Sequence, residues 1–74
     1  MATNKDSPCL KALGNNIRLF RERNGWSQRE MASRCNIDSA SIGKMERGKL
    51  DIRYTTLLQI ALVLEVNPSE LLNS

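Results

Sequence analysis

Lysine and arginine side chains are the groups in this 74-residue chain with the clearest chemical potential, and there are 11 of them. All lie between Lys5 and Arg53, whereas residues 54–74 contain two glutamates and no base. The formal net charge is +3 and the isoelectric point is about 9.2, which an ordinary solvated surface would also produce. Because the cations are confined to one part of the chain, they favour polyanion binding there and a different role for the remainder.

Residue types needed for catalysis and metal binding are scarce. Without histidine, a cysteine nucleophile would lack an imidazole base, and zinc-site spacing is absent. Cys9 and Cys35 are too few for a disulfide scaffold. A redox switch at Cys35 is conceivable, but a semi-buried thiol is the simpler interpretation. We expect no enzyme activity, metal or cofactor.

The compartment follows from what the chain lacks. No N-terminal apolar stretch resembles a signal peptide, and no apolar run approaches membrane-spanning length. Free thiols fit a reducing environment. We therefore expect a cytoplasmic protein with no membrane partner.

Five short helices must position the basic residues, since β-branched residues form no alternating runs. We predict one all-α domain over residues 8–74 after a flexible tail, residues 1–7. Caps and turn residues delimit the helices. These boundary signals are Ser7-Pro8, Asn24-Gly25, Ser27 with Glu30, Asp38, Gly48 and Asn67–Glu70. The fourth helix is predicted from about Tyr54 to Leu64.

Residues 28–47, QREMASRCNIDSASIGKMER, predict two short helices meeting at a tight turn. Ala32 is small enough to face a close crossing, and Asn36 tolerates the positive φ that such a turn needs. Ile37 and Ile42 supply apolar contacts on either side of the turn. This register is typical of a helix-turn-helix.

The chain resembles the phage-repressor/Cro-like helix-turn-helix family over about residues 13–72. The resemblance implies a lambda-repressor-like DNA-binding domain, a compact five-helix bundle that acts as a sequence-specific transcriptional regulator. Asn36 departs from the family pattern, which usually has glycine at the turn. Gly43, within the third helix, is a second departure from that pattern. The motifs that carry the resemblance are Leu13-Gly14, Ile17–Arg21, Trp26–Gln28, Met31-Ala32, Ile42–Gly48 and Leu57–Ala61.

The third helix, about residues 38–47, is the expected reader of the major groove. Helical spacing turns a small-residue face outward, and Lys44 is its strongest candidate for guanine or phosphate. Ser39 and Ser41 could bind base edges or simply cap the helix. The small residues also favour some readout of DNA shape. The candidate base contacts are Ser39, Ala40, Ser41, Gly43 and Lys44.

Phosphate binding is expected on both sides of this helix. The N-terminus of the second helix, at Ser27 and Gln28, offers free N–H groups and a positive dipole end. The resemblance implies that Gln28 holds a backbone phosphate. Arg47, Lys49 and Arg53 follow the third helix, where a solvated loop is the alternative to phosphate contact.

One charge pair is implied by the resemblance alone. Arg21 on the first helix and Glu46 on the third are expected to pair and to fix the third helix on the scaffold. A partner for Glu46 would also offset the repulsion between an acidic group and DNA. We expect loss of Glu46 to destabilise the fold more than a surface substitution would.

Apolar residues near the C-terminal end exceed what a small core can bury. We expect a two-fold homodimer through the fourth helix, the loop before it and the fifth helix, on a pseudo-palindromic operator. The alternatives are an antitoxin-like module whose main partner is a protein and a restriction–modification controller. The sign of regulation stays open, and no small-molecule ligand is expected. The candidate interface residues are Leu50, Ile52, Leu62, Val63, Leu71 and Leu72.

Overall fold

The structure is a computed structural model that describes residues 8–72. The predicted tail, residues 1–7, and the Ser7 cap lie outside the described residues. Five helices follow one another in the described range. They are α1 (Pro8–Arg23), α2 (Gln28–Cys35), α3 (Ser39–Glu46), α4 (Tyr54–Leu64) and α5 (Pro68–Leu72).

The helix ends are set by local capping. Ser27 is the N-cap of α2, and its side chain accepts a hydrogen bond from the Glu30 N–H at 3.0 Å. Asp38 caps α3 in the same way, accepting from the Ser41 N–H at 3.3 Å. Ahead of α5, the Glu70 carboxylate reaches back to accept from the Asn67 N–H. These short helices therefore start where the sequence predicts.

Asn36 makes the turn between α2 and α3. It adopts the left-handed conformation, with φ 57° and ψ 43°, and its N–H closes α2. Glu65 takes the same conformation at the end of α4, with φ 60°. The sequence predicted the first of these positions and not the second.

The core is built from one apolar face of each helix. α1 packs on α3 and α5, α2 packs on α3 and α4, and α4 packs on α5. The part of the chain that the structure describes has no strand, so the all-α prediction is confirmed. The buried apolar residues are Leu13, Ile17, Met31, Ala32, Cys35, Ile42, Met45, Leu57, Ile60, Ala61, Leu64 and Leu71.

Gly14 allows α1 to approach the C-terminal end of α3. A Cβ at this position would lie 2.1 Å from the backbone oxygen of Met45 and 2.9 Å from that of Glu46. Neither oxygen belongs to a flexible side chain, so a larger residue here would force the helices apart. This close contact sets the position of α3 on the scaffold.

Candidate nucleic-acid interface

The helix-turn-helix element places the exposed side of α3 beside the N-terminus of α2. Ala40 and Lys44 are exposed on α3, and Ser39 and Ser41 are half-buried near its start. The Asp38 cap satisfies the Ser41 N–H. The first turn of α3 therefore presents short side chains, and Lys44 is the long cationic one on this surface.

A charged pair below this surface ties α3 to α1. Arg21 Nε donates to Glu46 Oε2 at 2.6 Å, and Arg21 Nη2 donates to Glu46 Oε1 at 3.1 Å. The two side chains are 11% and 4% exposed, respectively. This bidentate geometry fixes the orientation of the guanidinium plane relative to the carboxylate plane. The structure thus brings together the two residues that the family resemblance pairs.

The same pair reaches the turn before α2. Arg21 Nη1 donates to the backbone oxygen of Trp26 at 2.8 Å. The hydrogen bond with Glu46 raises the pKa of Arg21, and desolvation opposes this only in part. Arg21 therefore stays charged while it links α1, α3 and the loop that leads into α2.

Gln28 adds α2 to this network. Its Nε2 donates to Glu46 Oε1 at 3.0 Å. Glu46 thereby accepts hydrogen bonds from both Arg21 and Gln28, so its buried carboxylate is satisfied on both oxygens. We call Arg21, Gln28 and Glu46 the buried polar network. It holds the exposed surface of α3 at a fixed angle to α2.

Gly43 is not placed as expected. Helical spacing turned it outward as a base contact, but it is buried. A Cβ added there would meet Arg47 Nη1 at 3.3 Å and Gln28 Oε1 at 3.4 Å. The burial of Gly43 could not be predicted from periodicity within α3, because periodicity does not report a side chain of α2 that covers this helix.

The remaining candidate phosphate contacts surround this point. Ser27 is exposed at the start of α2, and Arg47, Lys49 and Arg53 are exposed at the end of α3 and in the loop after it. An open pocket of about 280 Å³ lies between α1, α2 and α3. It is lined by Arg18, Arg21, Glu22, Gln28, Glu46 and Arg47.

Two basic residues away from this surface have partners within the chain. The Arg34 guanidinium lies 4.4 Å from the centroid of the Trp26 ring, and Arg34 Nε is 2.8 Å from a Glu30 carboxylate oxygen. The Arg23 guanidinium lies 5.1 Å from the Phe20 ring centroid. Arg23 and Arg34 therefore each lie against an aromatic ring of this chain, whereas Arg47 lines the open pocket.

The candidate dimer residues divide into three groups. Leu62 and Leu72 are 77% and 59% exposed. Half-buried positions packed against the core are Leu50, Ile52 and Val63. Leu71 is fully buried in the core of its own chain, so its assignment to the interface is wrong. Spacing in a helix as short as α5 does not decide which of two adjacent leucines faces inward.

Two exposed residues outside the predicted set extend the apolar surface of α4. Tyr54 is 70% exposed and Leu58 is 37% exposed. Together with Leu62 they occur every fourth residue, which places them on one side of the helix. We call these three residues the α4 stripe. The i, i+4, i+8 spacing was the sequence signal that could have identified it.

The structure describes neither a metal cluster nor a disulfide. Within residues 8–72, no three His, Cys, Asp or Glu side chains are grouped to hold a metal ion. Cys9 is exposed and Cys35 is buried, and burial raises the pKa of the Cys35 thiol. In the same range, no helix is both long enough and apolar enough to cross a membrane.

Three comparisons relate this fold to known proteins. A hypothetical transcription factor of Neisseria meningitidis is 37% identical over 68 residues, covering 90% of this chain and 64% of that protein. Antitoxin HipB of Escherichia coli is 34% identical over 55 residues, covering 74% of this chain and 62% of HipB. The chain thus spans slightly under two thirds of the length of these curated relatives.

A solved structure overlaps with most of this chain and over nearly all of its own length. The restriction-modification controller protein C.AhdI of Aeromonas hydrophila superposes with a TM-score of 0.81 at 31% identity. The match covers 84% of this chain and 94% of the controller. The helix-turn-helix family itself matches residues 17–71, which include all of α2 to α4. The chain belongs to this helix-turn-helix family of DNA-binding transcription regulators.

Proposed function

We propose that this chain is a sequence-specific regulator that binds a pseudo-palindromic operator as a homodimer, with α3 in the major groove. The observation that carries the proposal is the buried polar network of Arg21, Gln28 and Glu46. It orients the exposed surface of α3, which carries Lys44, without placing an unpaired acidic group there. A helix fixed in this way can read base edges in the groove.

Base readout is assigned to the exposed side of α3. Lys44 reaches guanine O6 and N7 or a nearby phosphate, and the Ala40 methyl group meets a thymine methyl. Ser39 and Ser41 supply hydroxyl groups at the N-terminal turn. With one long side chain in this set, sequence preference depends partly on groove shape.

Phosphate binding supplies much of the affinity. The start of α2, at Ser27 and Gln28, contacts one strand. Arg47, Lys49 and Arg53 contact the backbone on the other side of α3. Exposure of these cations in the structure supports the assignment, since each neutralised phosphate releases counterions and makes binding dependent on salt.

Pairing of two chains is assigned to the α4 side. The α4 stripe, which includes Leu62, and Leu72 leave apolar surface that one chain does not cover. A two-fold contact there would place two α3 helices about 34 Å apart, one turn of DNA. Leu50, Ile52 and Val63, which are half-buried against the core, are assigned to the same contact.

The experiment is selection from random duplex DNA, followed by affinity measurements over a salt series and sedimentation of the free protein. We expect enrichment of a two-fold symmetric site, a steep loss of affinity as salt rises, and a dimer in solution. Lack of enrichment would overturn sequence-specific binding, and a monomer at all concentrations, alone and on DNA, would overturn the dimer.

A role as a restriction–modification controller is the second candidate. It is favoured by the overlap with the controller protein C.AhdI, which covers 84% of this chain and 94% of the controller. The selected site would then lie upstream of the gene for this chain and beside a restriction endonuclease gene. An adjacent toxin gene and a stable complex with its product would instead favour an antitoxin-like role, as the similarity to HipB suggests.

A further inference from the structure

Gly43 lies at a point where two candidate phosphate-binding side chains converge. A Cβ at this position would be 3.3 Å from Arg47 Nη1 and 3.4 Å from Gln28 Oε1. Arg47 comes from the end of α3 itself and Gln28 from the start of α2. The two side chains therefore approach each other across a position that has no side chain of its own.

Gln28 is also held from another direction. The Gln28 amide donates to Glu46 Oε1 at 3.0 Å, and Glu46 is bound by Arg21. This leaves the second amide proton of Gln28 available to an acceptor. Gln28 and Arg47 line the same open pocket of about 280 Å³, which is ample for a phosphate group.

We propose that Gly43 is a positioning residue for DNA-backbone binding. Its missing side chain lets Gln28 and Arg47 close over α3 so that both address one phosphate. The inference rests on the proposed function, and it differs from direct approach of the Gly43 backbone to a base, because Gly43 is buried beneath these side chains.

The geometry separates binding from folding. The atom nearest to an added Cβ, Arg47 Nη1 at 3.3 Å, is the end of an exposed flexible side chain and can shift by a few tenths of an ångström without disturbing the core. Gln28 Oε1, at 3.4 Å, is at ordinary contact distance. Alanine and leucine also form helix more readily than glycine. Replacement of Gly43 should therefore weaken DNA binding while the protein remains as stable as before, or becomes more stable.

The test uses Gly43→Ala and Gly43→Leu, with Ser33→Ala as the control. Ser33 is exposed on α2 and has no part in the proposed surface, and its replacement also raises helix propensity. The probe is the duplex recovered by selection, or a mixed-sequence duplex of about 30 base pairs at low salt, long enough for two half-sites. We expect about fivefold weaker binding for Gly43→Ala, a larger loss for Gly43→Leu, and none for Ser33→Ala.

Three further readouts separate positioning from a general structural effect. The side-chain amide resonances of Gln28 in the free protein should shift in Gly43→Ala, because the added methyl group lies against the amide oxygen at 3.4 Å. In an Arg47→Ala background, Gly43→Ala should weaken binding less than about twofold, because the pair it positions is already incomplete. The salt dependence of Gly43→Leu should decrease by about one phosphate contact.

Three outcomes would overturn the inference while the wild-type protein binds DNA. An equal fold-loss with and without Arg47 would mean that position 43 meets DNA itself. Unchanged affinity in both Gly43 variants would mean that the spacing of Gln28 and Arg47 is not used. A lower melting temperature that accompanies the loss would indicate a structural role. Failure of the wild-type chain to bind any duplex would instead overturn the proposed function.

Discussion

The α2–α3 side of the molecule and the α4–α5 side are stabilised in different ways. Around α3, a buried polar network joins three elements through hydrogen bonds of 2.6–3.1 Å. On the other side, α4 and α5 are held mainly by apolar contacts such as those of fully buried Leu71 and Ile60. Single hydrogen bonds add to these contacts, from Asn16 to the Leu71 backbone oxygen and from Gln59 to the Cys35 backbone oxygen. The first side carries the exposed cations near α3, and the second has no base from residue 54 onward.

This difference fits the proposed function. Hydrogen bonds between charged groups depend on direction, so the network around Glu46 specifies the angle at which α3 is presented. Apolar contacts depend mainly on buried area and are less sensitive to angle. Rigid presentation suits a helix that must match a groove, whereas adaptable apolar packing suits an association surface.

The largest expected effect is loss of the buried carboxylate. Glu46→Ala removes the bidentate partner of Arg21 and the acceptor of Gln28, and leaves a guanidinium that is 11% exposed with only the more distant Glu22 carboxylate, at 3.9 Å. We expect the free energy of unfolding to fall by roughly 3 kcal/mol. Urea unfolding monitored by the fluorescence of Trp26, the one tryptophan, measures it.

Glu30→Ala is the matched control. Glu30 is also paired with an arginine, Arg34, but the two side chains are 48% and 49% exposed. Its loss should cost less than about 1 kcal/mol. Equal costs for the two variants would mean that burial of the Arg21–Glu46 pair contributes nothing.

The second prediction concerns the α4 side. Leu62→Asp places a charge in the proposed dimer contact, and Leu62 is 77% exposed in the single chain. We expect the dimer dissociation constant to rise roughly thirtyfold, as loss of about 2 kcal/mol of apolar burial implies. Stability of the isolated chain should change by less than about 0.5 kcal/mol.

Leu19→Asp controls for the introduced charge. Leu19 is 47% exposed on α1, away from the α4 stripe. Sedimentation equilibrium of the two variants should show dissociation for Leu62→Asp alone. If both dissociate equally, or neither does, the dimer contact lies elsewhere.

The third prediction compares two arginines. Arg47→Ala should weaken DNA binding by about 1 kcal/mol and reduce the salt dependence by about one ion. Arg34→Ala should leave the salt dependence unchanged, because Arg34 stacks on Trp26 and pairs with Glu30. Titrations at several salt concentrations measure both. An equal change for the two would indicate long-range attraction by net charge in place of a local contact.

Sequence reasoning succeeded where the interactions are local. Caps at Ser27 and Asp38 and the turn at Asn36 depend on residues within a few positions, and α4 has the predicted bounds. It failed where the result depends on packing between helices. The burial of Gly43 is set by Gln28 of another helix, and that of Leu71 by the orientation of α5 on α1 and α4.

The hydrogen bond from Gln28 to Glu46 was also missed. The sequence suggested that Gln28 binds phosphate and that Glu46 pairs with Arg21. No periodicity in the chain relates Gln28 to Glu46. The two residues are 18 positions apart and meet only because α2 crosses α3. Polar networks between helices of this kind require the tertiary structure.

The smallest expected effect compares the two left-handed residues. Asn36 and Glu65 have almost the same backbone angles, with φ of 57° and 60°. Asparagine tolerates this conformation through its short polar side chain, whereas glutamate has no such compensation. Strain is therefore greater at the end of α4 than at the turn between α2 and α3.

Glu65→Gly should consequently raise the free energy of unfolding by roughly 0.5–1 kcal/mol, while Asn36→Gly should change it by only a few tenths. Glu65 is exposed, so its side chain provides little packing that glycine would lose. Urea unfolding in the Leu62→Asp background keeps the protein monomeric and removes any effect on association. Equal stabilisation at both positions would mean that asparagine is strained as much as glutamate, and destabilisation at Glu65 would mean that the carboxylate makes a favourable interaction at the end of α4.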